Sequence, residues 1–127
     1  MLQHAPIAAL APRRSITIDL IGDLDAHLGE TLVKTLETLA CDETCDVFVN
    51  FKRVAGVEAA GLSGAARAIA QKRLAGWSIS ALVSRRNRRV CVLLNSSRIP
   101  CDEAPAIATN TRHIMIARNA ALSNLPA

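Results

Sequence analysis

The chain of 127 residues has no tyrosine, one tryptophan (Trp77) and two phenylalanines. So few aromatic rings leave little on which bases or sugars could stack, and the core must be built from Leu, Ile, Val and Ala. Long apolar runs are missing as well. The longest, Ile7 to Ala11 and Val90 to Leu94, fall far short of the roughly 18 to 20 residues of a membrane span. Pro6 and Pro12 bracket the first of them and no basic leader precedes it. It is a poor secretory signal, so the expected compartment is the cytoplasm, with no insertion into a membrane. Neither sign of charge dominates: 15 Lys and Arg stand against 11 Asp and Glu, a net +4. A small, dispersed excess does not argue for nucleic acid, which needs basic clustering and a reading element.

Metal chemistry is also thinly provided. His4, His27 and His113 are scattered, and Cys41, Cys45, Cys91 and Cys101 form no CxxC pair beside a histidine. No metal and no cofactor are expected. Reduced, partly buried thiols are the plain reading in a cytosolic protein; a redox-sensitive pair is the alternative.

What is present is an alternation of strand and helix patterns. Residues 15–21, SITIDLI, place Ile16, Ile18 and Leu20 on one face and Thr17 and Asp19 on the other, as a half-buried strand does. Residues 7–11 read as an edge strand hairpinned to it through Pro12, Arg13 and Arg14. Gly22-Asp23-Leu24-Asp25 breaks the strand, and Asp25 is placed to cap a helix over 26–40 striped by Leu28, Leu32, Leu36 and Leu39. After a turn at Asp42-Glu43-Thr44, residues 46–51, DVFVNF, read as a strand covered on both faces. A loop from Lys52 to Val57 leads to a helix from Glu58 to Ala75, ended by Gly76. WSISALV, 77–83, is another strand, and Ser84 is a candidate cap for a third helix reaching Leu94. Ala106 to Ala108 read as a last short strand. Thr109, Asn110 or Thr111 then caps a C-terminal helix carrying His113 to Leu122. The expectation is one α/β domain over 1–127, its core at about 7–122, with a mainly parallel or mixed sheet of four or five strands and about four helices.

Three stretches resemble one family. The strand, Gly22-Asp23-Leu24-Asp25 and helix are similar to a "G-[ED]-L-D" signature. VFVNFKRVAGVEAAGLSGAARAIAQKRLAGWSISAL is similar to a unit in which a strand leads to "D-S-S-G-L-G" at a helix start, then an alanine-rich helix and a "G-x-x-[LI]" strand. VSRRNRRVCVLLNSSRI resembles the third helix of the same family. On these stretches the chain resembles the STAS domains (sulphate transporter and anti-sigma-factor antagonist), and in size the bacterial anti-sigma-factor antagonists. The resemblance implies a signalling module in transcription regulation, without catalysis, that binds an anti-sigma kinase-like partner and is released when the first serine of D-S-S-G is phosphorylated. Phosphate adds nearly two negative charges to an interface built around a small neutral group.

In this chain that motif falls on Glu58, Ala59, Ala60, Gly61, Leu62 and Ser63. Ala59 has no hydroxyl, so the family's switch cannot operate at that position. Asn50 stands where an aspartate often ends the preceding strand. The resemblance then leaves two functional readings: an antagonist held in its binding state, or a scaffold or accessory subunit of a multi-STAS or transporter complex, including a homo-oligomer. As residues alone, two alanines are simply good helix formers at a helix start. The partner-binding residues implied are Asp23, Asp25, Glu58, Ala59, Ala60, Gly61, Leu62 and Ser63. In open α/β sheets this end is where sites usually lie.

Asp23, Asp25 and Glu58 could gather as an acid/base or cation site, but a helix cap and a helix N-terminal charge explain two of them. Arg85, Arg86, Arg88 and Arg89 form the sharpest charge cluster, a basic patch at the start of the third helix. Cations are disfavoured by the helix dipole there, so an acidic partner surface or anion is one reading and a solvated face the other. Ser63 is the one hydroxyl close to the lost phosphosite.

Overall fold

Ile16, Ile18 and Leu20 are buried on one face of the first strand, and the helices of the domain pack over them. The computed structural model describes residues 14–39, 45–104 and 110–117. In chain order the elements are β1 (Arg14–Leu24), α1 (Ala26–Thr38), β2 (Cys45–Asn50), β3 (Val54–Val57), α2 (Ala59–Leu74), β4 (Ser78–Leu82), α3 (Arg88–Ser96), β5 (Cys101–Asp102) and β6 (Asn110–Ala117).

The protein is an α/β domain, and among the described residues the strand pairs are all parallel. β1 is central. β2 runs along one edge of it from Arg14↔Cys45 to Asp19↔Asn50, and β6 along the other from Arg14↔Asn110 to Ile21↔Ala117. β4 follows β2, and β5 follows β4 through Ala81↔Cys101 and Leu82↔Asp102. Past Asn50 the chain turns and resumes as β3, which pairs Val54 and Val57 with Gly22 and Leu24 across an irregularity in β1.

From β1 to β5 each helical crossover steps one strand in the same direction. Right-handed crossovers of that kind lay their helices on one face of the sheet. The burial pattern agrees: Ile16, Ile18, Leu20, Val47, Val49, Ile79 and Ala81 share one cluster with Leu28, Leu32, Leu36, Leu62, Ala65, Ile69, Val90 and Leu94. Each fully buried leucine or isoleucine is worth about 1.5–3 kcal/mol. α2 contributes mainly alanines, and small residues let it lie close to α1. A Cβ on Gly29 of α1 would stand 3.1 Å from the carbonyl oxygen of Gly61 on α2.

Several expectations are corrected. The described residues form six strands and three helices, against the four or five strands and four helices expected. Residues 110–117 are not the start of a C-terminal helix. Ile114 and Ile116 alternate with His113 and Met115, and that period of two is satisfied by pairing with β1. The edge of β1 opposite β2 is therefore taken by β6. The hairpin strand at 7–11, the strand at 106–108 and the turn at 42–44 lie outside the described residues. β1 does not break at Gly22. It continues to Leu24, because Gly22 takes φ +92, a conformation open to glycine. The presumed loop after Lys52 contains β3. The third helix starts at Arg88, with Asn87 rather than Ser84 as cap, the Asn87 side chain accepting from Val90 N at 3.3 Å. The helix caps at Asp25 and the stop at Gly76, with φ +100, are as the sequence indicates. No helix among the described residues is long and apolar enough to cross a membrane.

Candidate functional site

The Gly22–Asp25 segment and the start of α2 meet at the C-terminal end of β1. Asp23 Oδ1 accepts the Gly56 amide at 3.1 Å, which ties the segment to β3. Leu24 is fully buried, and its carbonyl accepts the Glu58 amide at 2.9 Å. Asp25 Oδ1 accepts Leu28 N at 2.8 Å and so caps α1. The first turn of α2 lies directly on these backbone groups. A Cβ on Gly61 would fall 2.5 Å from the Asp25 carbonyl oxygen, too close for any side chain.

This contact decides which way the residues around Gly61 face. Gly61 and Leu62 are buried against the rest of the domain; Glu58, Ala59, Ala60 and Ser63 are exposed. Glu58 makes no side-chain cap for α2. The three carboxylates do not converge on a common centre: Asp25 caps one helix, Asp23 holds a strand amide and Glu58 faces solvent. Among the described residues no group of three or more His, Cys, Asp or Glu is arranged to hold a metal ion.

Beside the exposed alanines runs a groove of about 490 Å³, lined by Ala59, Leu62 and Ser63 from α2 and by Arg88, Arg89 and Val92 from α3, among others. Arg89 donates to the Val57 carbonyl at 3.1 Å, fixing the start of α3 against the end of β3. Val92 is 66% exposed. The groove is apolar along its floor and basic at one rim.

The four arginines are not one patch on one helix. Arg88 and Arg89 open α3, while Arg85 and Arg86 lie in the turn before it. Arg85 pairs with Glu103 at 3.2 Å, an exposed contact on the far side of α3. Only Arg88 and Arg89 line the groove beside Ala59.

Sequence reasoning missed a second polar cluster, on the sheet face opposite the three described helices. Asn50 Nδ2 donates to Asp19 Oδ1 at 2.7 Å, and His113 Nδ1 lies 3.3 Å from Asp19 Oδ2. The Asp19 side chain is 8% exposed and that of His113 62% exposed. Asn50 Oδ1 in turn accepts the Lys52 amide at 3.0 Å. The alternation in β1 puts Asp19 on this face. Bringing His113 to it required β6 to be a strand. The arrangement ties β1 to both of its neighbours and satisfies a buried carboxylate with hydrogen bonds, a structural use of these groups.

Of the cysteines, Cys45 is buried, whereas Cys91 and Cys101 are half-buried thiols. Cys91 Sγ donates to the Ser84 carbonyl at 3.5 Å and Cys101 Sγ to the Ile99 carbonyl at 3.3 Å. Burial pushes the Cys101 thiol above its usual range, and the nearby Cys91 and Asp102 push it the same way. Cys41 lies outside the described residues.

No protein-family model, no curated protein and no solved structure matches the chain.

Proposed function

We propose that the protein is a non-catalytic protein-interaction module of STAS type. It acts in the manner of an anti-sigma-factor antagonist, with the exposed start of α2 and the adjoining flank of α3 as its docking surface. One observation carries the reading: Gly61 is held against the Leu24 and Asp25 carbonyls, so its neighbours Ala59, Ala60 and Ser63 are turned outward beside a groove rimmed by Arg88 and Arg89. Small neutral groups at a helix start, flanked by apolar surface and two guanidinium groups, suit a partner that presents an apolar side chain framed by carboxylates. Without a hydroxyl at position 59 the surface stays neutral there, so docking is always permitted unless another device controls it.

Ala59→Asp tests the reading. A carboxylate in the first turn of a helix is favourable to the helix dipole, so this variant folds. Charge placed in the docking surface lowers affinity for the partner at least about tenfold, or 1.4 kcal/mol. A pull-down from the source cell with wild-type and variant protein as paired baits shows the loss. Equal recovery of the same partner by both would refute the surface, and recovery of no protein with an anti-sigma kinase fold would count against the antagonist role.

A further inference from the structure

α3 separates two clefts. One is the groove at Ala59. The other, of about 430 Å³, lies between α3 and the edge strand β5; Cys91, Cys101, Arg85, Asp102 and Glu103 are among its lining residues. Arg88 and Val92 border both. A movement of α3 toward β5 therefore changes the groove on its other side.

A chain of contacts places the two thiols on the same cleft. Cys91, the fourth residue of α3, bonds the Ser84 carbonyl, and the preceding residue, Val83, donates its amide to the Asp102 carbonyl at 2.9 Å, next to Cys101. Cys101 pairs in register with Ala81, whose side chain is buried on the helix-covered face of the sheet. Both cysteines pack half-buried against the same core cluster and both reach the cleft. Their partial exposure gives a small oxidant access that buried Cys45 lacks.

We propose that Cys91 and Cys101 form a peroxide-driven, reversible disulfide that controls the docking surface, a control that rests on the proposed function above. The Cys91 thiolate attacks hydrogen peroxide, the O–O bond breaks, and Cys91 becomes a sulfenic acid while hydroxide leaves and takes up a proton as water. The Cys101 sulfur then attacks the Cys91 sulfur, the S–O bond breaks, and the departing hydroxide takes the Cys101 proton and leaves as a second water. Two thiols are oxidised to one disulfide and one peroxide is reduced to two waters. Burial raises the Cys101 thiol, which disfavours it as the first to attack peroxide. A disulfide requires Cα atoms about 4.4–6.8 Å apart, so closure fixes the start of α3 to β5 and repositions Arg88 and Val92 relative to Ala59.

Trypsin separates the two cysteines, because Arg89, Arg98 and Arg112 flank residues 90–98 and 99–112. The full-length reduced protein is treated with stoichiometric hydrogen peroxide and mapped without reductant. The expected product is peptide 90–98 joined to 99–112, with two free thiols lost per chain, restored by dithiothreitol, and no such product from Cys101→Ser. A crosslink through Cys41 or Cys45, or Cys91 proceeding to the sulfinic acid with Cys101 still free, overturns the pairing. Amide hydrogen exchange on the same oxidised sample is expected to change in residues 59–63 and 88–92. Exchange that is altered nowhere outside 99–104 overturns the control of the groove. Neither readout needs a partner, so the switch can fail while the Ala59→Asp result stands, and the reverse.

Discussion

Gly61 sits against Asp25 so tightly that a single added carbon would lie 2.5 Å from the Asp25 carbonyl oxygen. Backbone faces backbone there, and neither side can swing away as the end of a long side chain could. Gly61→Ala is therefore expected to destabilise the domain by about 3 kcal/mol, the upper part of the range for overpacking. Gly64, one turn further along α2, has nothing within 4 Å of a built Cβ. Gly64→Ala should raise stability by about 0.5–1 kcal/mol through helix propensity. Urea denaturation of the two variants checks the contrast, and equal effects would show that the Gly61 contact is not strained by a side chain.

Asp25 is buried and its carboxylate caps α1 through Leu28 N at 2.8 Å. Asp25→Ala removes that acceptor from the first turn, and the expected loss is about 1–2 kcal/mol. Asp25→Asn, which keeps a side-chain oxygen, should recover most of it. Thermal denaturation followed by circular dichroism gives both values.

Asp19 holds Asn50 at 2.7 Å and His113 at 3.3 Å. Removing the carboxylate in Asp19→Ala strands the Asn50 amide and costs about 2 kcal/mol, the order expected for hydrogen bonds to a charged group. His113→Ala removes the exposed partner and costs about 0.5–1 kcal/mol, the lower part of the range for one hydrogen bond. Denaturant midpoints for both single variants and the double variant would reveal the coupling. An additive double variant would mean that the two residues act independently.

The raised Cys101 thiol has a consequence for alkaline stability. In the unfolded chain the thiol ionises near its ordinary value of 9.0, whereas the folded chain keeps the proton to higher pH. The folded state then binds more protons than the unfolded one, so stability falls as pH rises above about 9 and this contribution is complete below it. Under reducing conditions, wild-type protein should lose more stability between pH 8 and pH 10 than Cys101→Ser does. Parallel curves for the two proteins would refute the shift.

Much of the fold was legible in the residues. The alternation of Ile16, Ile18 and Leu20, the Leu28–Leu32–Leu36 stripe and the pair Val47 and Val49 each carry the period of their element, and all are buried in the core. The misreadings have local causes. Polar residues at 109–111 offered a helix cap, while Ile114 and Ile116 offered a strand; the neighbouring edge of β1 decided for the strand. Asn87 took the cap position because the chain needs Ser84 to Arg86 to turn from β4, a geometry that Ser84 supports by accepting the Arg86 amide at 3.3 Å.

By itself, the sequence determined the type and order of most elements, because a strand or helix face is set by residues two to four positions apart. It also determined that position 59 carries no hydroxyl. Only the tertiary structure decided that Asp19 meets His113, that Gly61 rests on Asp25, and that Cys91 and Cys101 share a cleft. Those meetings depend on which strand edges pair and in what register, and such long-range closure leaves no period in the residues that make it.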